Sequence, residues 1–363
     1  MADSPYPELK KTHTMARVGR PWTDVKPPPS APVWNVIFGL GAYWMLVGAI
    51  ELGLFDALRA HGPLDPDELA RHLGASASHT ASLGDALVVL GLLDRHEGRF
   101  DLNDCSRRYL CGDSPASLAD LVTVAPGPAE NWSDLAGTVR RGAPAHPVDG
   151  DVAGFWVPLV EGTFGTTLRA ATRADAWISY SRLEAPRVAD LGAGGAPWSI
   201  AVLRACPGAT AVVNDLPGVL EVAKARITEA GLEDRCELRP GDYHAVELED
   251  EAFDLVVLGH VCRTEGVDGA RALLGRAAGA LRPGGRVLVS DYFRTVDPGR
   301  SPQGVFMAAT MAACTVRGTA FTYEQMSCWL REFGFTEVRL IEPIAAQQIF
   351  VATKPTRGRR AAD

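Results

Sequence analysis

The stretch Arg187–Trp198, RVADLGAGGAPW, followed by Asp215 in TAVVNDLP, constrains the fold more than any other part of the chain. An apolar run ending in Asp190 reads as a buried strand. Gly192, Gly194 and Gly195 then let the backbone turn tightly and approach a ligand where a Cβ would clash. A helix is expected over Ser199–Cys206, with Pro197 and Ser199 near its start, where a missing N–H is harmless and a capping oxygen useful. A second apolar run, Ala209–Val213, leads to Asp215, 23 residues after Gly192. A βαβ unit sets an acid against ribose hydroxyls at about 20 residues. The spacing predicts a nucleoside-binding loop.

The type of nucleoside is partly readable. A dinucleotide fingerprint wants a third small residue where the helix packs on the strand. Counting G-x-G-x-x-G from Gly192 puts Pro197 there, beside Trp198, and the lysine and Ser/Thr of a P-loop are also lacking. A glycine turn with a ribose-binding acid but no phosphate machinery suits S-adenosylmethionine (SAM). The competing reading, a glycine turn that binds nothing, leaves the acid at that spacing unexplained.

The length of 363 residues predicts two domains, or a large domain with a smaller partner. A formal net charge of −8 opposes a general nucleic-acid binder, which shows a basic surplus. Seven scattered cysteines without a CxxC pair read as reduced thiols of a cytoplasmic protein, with neither a zinc site nor a disulfide framework. Ala31–Ile50 holds 20 uncharged residues, long enough to span a bilayer. It lacks the basic flank and cleavage site of a signal peptide and runs into the amphipathic ELGLFDALRAHG. We read it as a helix buried in an oligomer interface, with a membrane span as the alternative.

Residues 1–30, with the run PPPS, read as a flexible arm. Residues 31–118 read as a winged-helix dimerisation domain. Helices are expected over Pro66–Leu73 and Ala77–Leu92, then a hairpin around Glu97–Gly98. Residues 119–185 read as a helical linker lining a cleft. Residues 186–355 alternate apolar runs with helical patterns, and 356–363 form a basic tail. Strands are expected at Arg187–Leu191, Ala209–Asp215, Cys236–Pro240, Phe253–Leu258, Arg286–Asp291, Glu337–Ile341 and Ile349–Thr353. The fold class is therefore α/β, a Rossmann-like, doubly wound and mainly parallel sheet whose ligand lies beyond the C-terminal strand ends.

From about Val33 to Thr353 the chain resembles class I SAM-dependent small-molecule O-methyltransferases of plant and bacterial natural-product pathways. The likeness is carried by ELGLFDAL, DELARHLG and LGLLDRHEGRFDLND, then by VADLGAGG, VVNDLPGVLEVA, GDYH, FDLVVLGHV, ALRPGGRVLVSDYF and TYEQMSCWLREFGF. The resemblance implies that Asp190, Gly192 and Gly194 shape the loop around the methionine end of SAM, and that Asp215, with Leu216, meets the ribose. It further places Asp242 near the adenine, Tyr243 against the ring or sulfonium, and Gly259 beside the cofactor. It implies a homodimer through the N-terminal domain, a small-molecule acceptor, and neither a nucleic-acid nor a membrane partner.

One departure bears on the reaction. Where the family pattern reads roughly n-V-L-H-D-W, this chain reads His260-Val261-Cys262-Arg263-Thr264-Glu265, which puts Arg263 in the place of the histidine that removes the acceptor's proton. Arginine, with a pKa above about 12, is no general base at neutral pH. Asp291 stands where the family often has a glutamate, and a later glutamate is replaced by Gly318-Thr319-Ala320. Arg263 is open to three roles: clamping an anionic acceptor, serving a SAM-bound cyclase or pericyclase that moves no methyl, or forming a salt bridge, with Glu265 as a candidate partner. His260 and His244 follow strands on the ligand side, and either is a candidate displaced base or metal ligand. The acceptor pocket is expected from Phe155, Trp156, Val160 and Phe164, and from Met307, Thr310 and Met311, with Trp132 less firmly placed. The expected function is SAM-dependent methyl transfer to a small, aromatic or enolic acceptor in secondary metabolism. The alternatives are the non-methylating cyclase and a ligand-sensing winged-helix regulator, although Ala77–Leu92 carries no Lys or Arg with which to read DNA.

Overall fold

Strands that are apolar along their whole length need cover on both faces, which a parallel sheet clothed by helices provides. The structure, a computed structural model, describes residues 30–124, 127–344 and 347–356. The expected N-terminal arm, apart from residue 30, and the tail beyond residue 356 lie outside the described residues. The chain divides into two compact units, residues 1–119 and 120–363.

In the first unit, helices Ala31–Glu51, Leu54–His61, Pro66–Leu73 and Ala77–Val89 precede a hairpin of β1 (Asp94–His96) and β2 (Arg99–Asp101) and a short helix, Asp104–Tyr109. Asp65 starts the third helix with a capping box: its carboxylate accepts the Glu68 N–H at 2.8 Å, and Glu68 accepts the Asp65 N–H at 3.1 Å. The fourth helix stops at Val89, short of the expected Leu92, because Gly91 turns the chain at φ +72°. Phe100 lies in a core with Leu54, Phe55, Leu58, Leu69 and Leu87. Its ring approaches Gly84 so closely that a Cβ there would sit 2.4 Å away. The helix Ala31–Glu51 is long and apolar enough to cross a membrane by length and composition. It leaves Trp34, Ile37, Phe38, Leu40 and Trp44 exposed in the single chain.

The second unit holds β3 (Arg187–Leu191), β4 (Thr210–Asp215), β5 (Cys236–Pro240), β6 (Phe253–Gly259), β7 (Leu281–Asp291), β8 (Thr336–Ile344) and β9 (Gln347–Thr353). They form one sheet in the order β5-β4-β3-β6-β7-β9-β8. Strands β3 to β7 pair in parallel, whereas β9 runs antiparallel to both β7 and β8. All seven expected strands are present. Strand β7 starts at Leu281, earlier than the expected Arg286, and the irregular pairing of β6 with β7 between Phe253 and Leu255 accommodates the extra residues. The helix expected at Ser199 begins at Pro197 and ends at Ala205.

Side chains alternate across the sheet. Val188, Leu255, Val257 and Leu288 pack with the helices Val157–Ile178, Pro197–Ala205 and Pro217–Glu229. Ala189, Val256, Leu258 and Val289 pack on the other face with the helices Gly266–Ala280 and Tyr323–Glu332. The helix Val157–Ile178, expected as a linker, places Ala170, Ala171, Ala174 and Ile178 in the core of this unit. Strand order reverses between β3 and β6, so a crevice opens beyond their carboxyl ends. The glycine loop after β3 and the turn after β6 flank it.

Candidate active site

A cavity of about 470 Å³ occupies that crevice, within the usual range for small-molecule sites. Gly192 and Gly194 adopt φ +64° and +57°, a region that side chains avoid. A Cβ on Gly192 would lie 2.3 Å from Val261 Cγ1, and one on Gly195 would lie 2.9 Å from Phe164 Cδ2, so the loop is packed too closely for alanine. Asp215 closes the loop from the end of β4. Its Oδ2 accepts the Gly194 N–H and its Oδ1 the Leu216 N–H, both at 2.7 Å. Burial raises the Asp215 pKa against these two bonds. Asp190 is buried at the end of β3, with Oδ2 accepting the Ser199 hydroxyl at 2.7 Å and its N–H at 3.2 Å. Burial lifts its pKa to about 6, with the Ser199 bonds pulling the other way. Asp242 accepts the His244 N–H at 2.7 Å. Asp190, Gly192, Gly194, Asp215, Leu216, Asp242, Tyr243 and Gly259 all line the cavity.

SAM is tested against these residues by what they leave unmatched. Asp190 Oδ1 and the Trp198 indole N–H are buried without a hydrogen-bond partner, and both residues line the cavity. Acceptor and donor atoms left over around a glycine cradle fit a ligand carrying an ammonium, a carboxylate and ribose hydroxyls. The residues present fit SAM.

Toward the other end, Arg263 lies in a short turn after β6, its side chain 11% exposed. One guanidinium nitrogen lies 3.1 Å from Asp291 Oδ1 and 2.8 Å from the His260 carbonyl, and the Arg263 N–H reaches Asp291 Oδ2 at 3.1 Å. The ion-pair partner is therefore Asp291 and not Glu265, because the turn aims Arg263 back at the end of β7. Burial alone would raise the Asp291 pKa, yet the Arg263 charge, His260 and the Tyr292 N–H together hold it below the ordinary carboxylate value. His260 has φ +66°, uncommon for a side-chain-bearing residue, and its N–H donates to the Ser290 carbonyl at 2.7 Å. Its Nδ1 lies 3.8 Å from Asp291 Oδ1, beyond hydrogen-bond distance, and is buried without a partner. Asp291 does not itself line the cavity, whereas Arg263 and His260 do. Where the later family glutamate is replaced, a Cβ on Gly318 would lie 2.9 Å from the Arg263 carbonyl, and the Thr319 N–H donates to that carbonyl at 2.7 Å.

Among the residues expected to hold an acceptor, Trp156, Val160, Phe164 and Met307 line the cavity. Phe155, Thr310 and Met311 do not. Phe155 packs with Trp132 against Val148, Ala313 and Cys314. The Thr310 hydroxyl donates to the Phe306 carbonyl of its own helix at 3.0 Å. Met311, one turn beyond Met307, is buried, with its sulfur 3.3 Å from where a Gly318 Cβ would sit. Aromatic and methionine residues at helical spacing do not distinguish pocket from core by sequence alone. The sequence reading also missed Gln347, at the start of β9, together with Thr163, Thr167 and Arg317, all of which line the cavity. The buried Gln347 amide donates to the Thr167 hydroxyl at 3.3 Å and accepts from Ser290 at 3.4 Å. Among the described residues, no three His, Cys, Asp or Glu side chains are grouped to hold a metal ion.

Comparison with known proteins agrees with this geometry. Residues 34–112 match a family model described as an O-methyltransferase dimerisation domain, and residues 171–336 match an O-methyltransferase domain. The chain is 31% identical to the 3-hydroxy-5-methyl-1-naphthoate 3-O-methyltransferase of Streptomyces sahachiroi, over 84% of this chain and 88% of that protein. It is 27% identical to TcmO, the tetracenomycin polyketide synthesis 8-O-methyltransferase of Streptomyces glaucescens, over 85% and 92%. Among solved structures, a Nostoc punctiforme protein described by inference as an O-methyltransferase superposes with a TM-score of 0.82 at 25% identity, over 90% of this chain and 99% of the other. The human N-acetylserotonin methyltransferase in complex with SAM shares the fold with a TM-score of 0.76 at 24% identity, over 92% and 100%. The chain belongs to the O-methyltransferase family and is a SAM-dependent methyltransferase.

Proposed function

We propose that this methyltransferase modifies an ionisable hydroxyl, phenolic or enolic, on a small natural product of secondary metabolism. The observation that carries this reading is the pinning of Arg263 by Asp291 and by the His260 carbonyl, which makes it a fixed cation beside the cavity and not a base. A fixed cation stabilises an acceptor that arrives as, or becomes, an oxyanion. The hydroxynaphthoate named for the Streptomyces sahachiroi relative is an acceptor of this type.

SAM supplies, when bound, a methyl group on a positively charged sulfur. Asp215, Leu216, Asp242, Tyr243, Gly259 and the Gly192–Gly194 loop hold the nucleoside and methionine parts. His260 receives the hydroxyl proton on Nε2, while Asp291 lies 3.8 Å from Nδ1, too far for a hydrogen bond that would orient the ring. Trp156, Val160, Phe164, Met307 and Gln347 hold the acceptor against the methyl. A base contributes about 10²–10⁴-fold, whereas alignment reaches effective molarities on the order of 10⁵–10⁸ M, so positioning is the larger effect.

The protein acts as a homodimer through its first unit, read as a winged helix that serves dimerisation, with Trp34, Ile37 and Phe38 covered by the second copy. All seven cysteines are free, in keeping with a cytoplasmic enzyme.

The test is incubation of the protein with methyl-labelled SAM and hydroxynaphthoates. We expect S-adenosylhomocysteine and a product heavier by one CH₂, in equal amounts. Product without either change would replace methyl transfer with the cyclase reading.

A further inference from the structure

Two loops meet across the cofactor end of the cavity through one carboxylate. Tyr243 and His244 follow β5, and Glu265 follows β6. The Tyr243 hydroxyl donates to Glu265 Oε1 at 2.5 Å, and His244 Nε2 lies 2.8 Å from Glu265 Oε2. Both carboxylate oxygens are thus engaged, by a phenol and an imidazole. All three residues line the cavity, and the Glu265 side chain is only 15% exposed. Their place within it is fixed by Tyr243, whose ring lies 3.2 Å from where a Gly192 Cβ would sit. The cluster therefore abuts the glycine loop. In the family pattern a tryptophan stands where this chain has Glu265, so the charge is a property of this sequence.

We propose that Glu265, held by Tyr243 and His244, is a specificity-determining residue of the cofactor site that favours cationic SAM over neutral S-adenosylhomocysteine.

The chemistry is electrostatic. SAM and S-adenosylhomocysteine differ by one methyl group and one positive charge. A carboxylate in a largely enclosed cavity stabilises the charged partner relative to the neutral one, by on the order of three- to ten-fold for a unit charge across such a site. Tyr243 does not cancel the carboxylate, since burial and its bond to Glu265 raise the phenol pKa and keep it a neutral donor.

Other charged groups line the same cavity: Asp149, Asp190, Asp215, Asp242, His260, Arg263 and Arg317. Asp190 is a second buried carboxylate at the same end, so a Glu265 variant is needed to separate the two. Arg276 packs against the loop from behind, donating to the Val246 carbonyl.

The experiment measures SAM and S-adenosylhomocysteine binding to the full chain by calorimetry at pH 8.5, with no acceptor present. We expect Glu265→Gln to lower the ratio of the S-adenosylhomocysteine to the SAM dissociation constant by about three- to ten-fold. His244→Asn, which keeps the carboxylate, should retain the wild-type ratio. A folded Glu265→Gln protein that matches the wild-type ratio overturns the proposal, as does a His244→Asn protein that loses it. Because no acceptor takes part, either result leaves the proposed methylation of a hydroxyl untouched, whereas failure of the acceptor assay would leave this ratio standing.

Discussion

Arg263 and Asp291 face each other at 3.1 Å, one from the turn after β6 and the other from the last residue of β7, with side chains 11% and 2% exposed. A pair this well buried is expensive to break from one side, because the remaining carboxylate is left without compensation. Arg263→Ala should lower unfolding free energy by roughly 3–5 kcal/mol. It should cut turnover sharply and leave SAM affinity near the wild-type value, since the Arg263 guanidinium bonds to Asp291 and the His260 carbonyl and not to the glycine loop. Denaturant unfolding and calorimetry measure both, and unchanged stability would show that the pair does not form in solution.

His260→Asn tests the proton acceptor. Asparagine tolerates the left-handed backbone that His260 adopts, so the fold should persist. We expect kcat to fall by about 10²–10⁴-fold. The smallest loss should occur for acceptors that are already ionised at the assay pH. An equal loss for acidic and weakly acidic hydroxyls would remove His260 from the proton path.

Asp190 gives a stability profile with a definite sign. Its folded pKa of about 6 lies above the usual value of a free carboxylate. A raised pKa favours the folded state at low pH, and that advantage disappears as pH climbs through the folded value. Holding other groups constant, the contribution is fully present below pH 4 and gone above pH 6 or so. Asp190→Asn should flatten this dependence between pH 4 and 7, leave melting temperature at pH 8 unchanged or higher, and weaken SAM binding. A melting curve at pH 8 that drops by several degrees would contradict the assignment.

Gly192→Ala meets two penalties at once, an unfavourable φ of +64° and a Cβ 2.3 Å from Val261. Strain and overpacking each cost about 1–3 kcal/mol. The variant should lose SAM affinity more than stability, because relief of the clash moves the loop that holds the ligand. Thermal unfolding with and without SAM separates the two effects.

Replacing Trp34 and Phe38 together by aspartate should convert a dimer into a monomer in light scattering. Both side chains are exposed in the single chain, so the folded monomer should retain its helical signal. Retention of the dimer mass would place the contact elsewhere.

The sheet was legible because β4, β6 and β9 hold near-continuous apolar runs set off by glycine, proline and polar turns. The spacing from Gly192 brought Asp215 to the nucleoside loop, but not its bond to the Gly194 N–H. The catalytic neighbourhood was less legible. Arg263 and Glu265 are two residues apart, yet the turn sends one to Asp291 and the other to His244, and periodicity says nothing about a short irregular turn. The acceptor end was also obscured, since Met307 and Met311 share a helix face while only the first reaches the cavity. Gln347 gave no signal, because it opens a strand that looks like sheet and nothing more.

That last strand carries a further implication. Because β9 runs against β7, its first residue arrives at the carboxyl ends of the parallel strands, and Gln347 enters the cavity from there. The residues proposed to hold the nucleoside come from the middle of the sequence, whereas Gln347, proposed to hold the acceptor, comes from near its end. On that reading donor and acceptor contacts sit partly in separable stretches of sequence. Substituting Gln347 offers a route to new acceptors that spares the methyl donor.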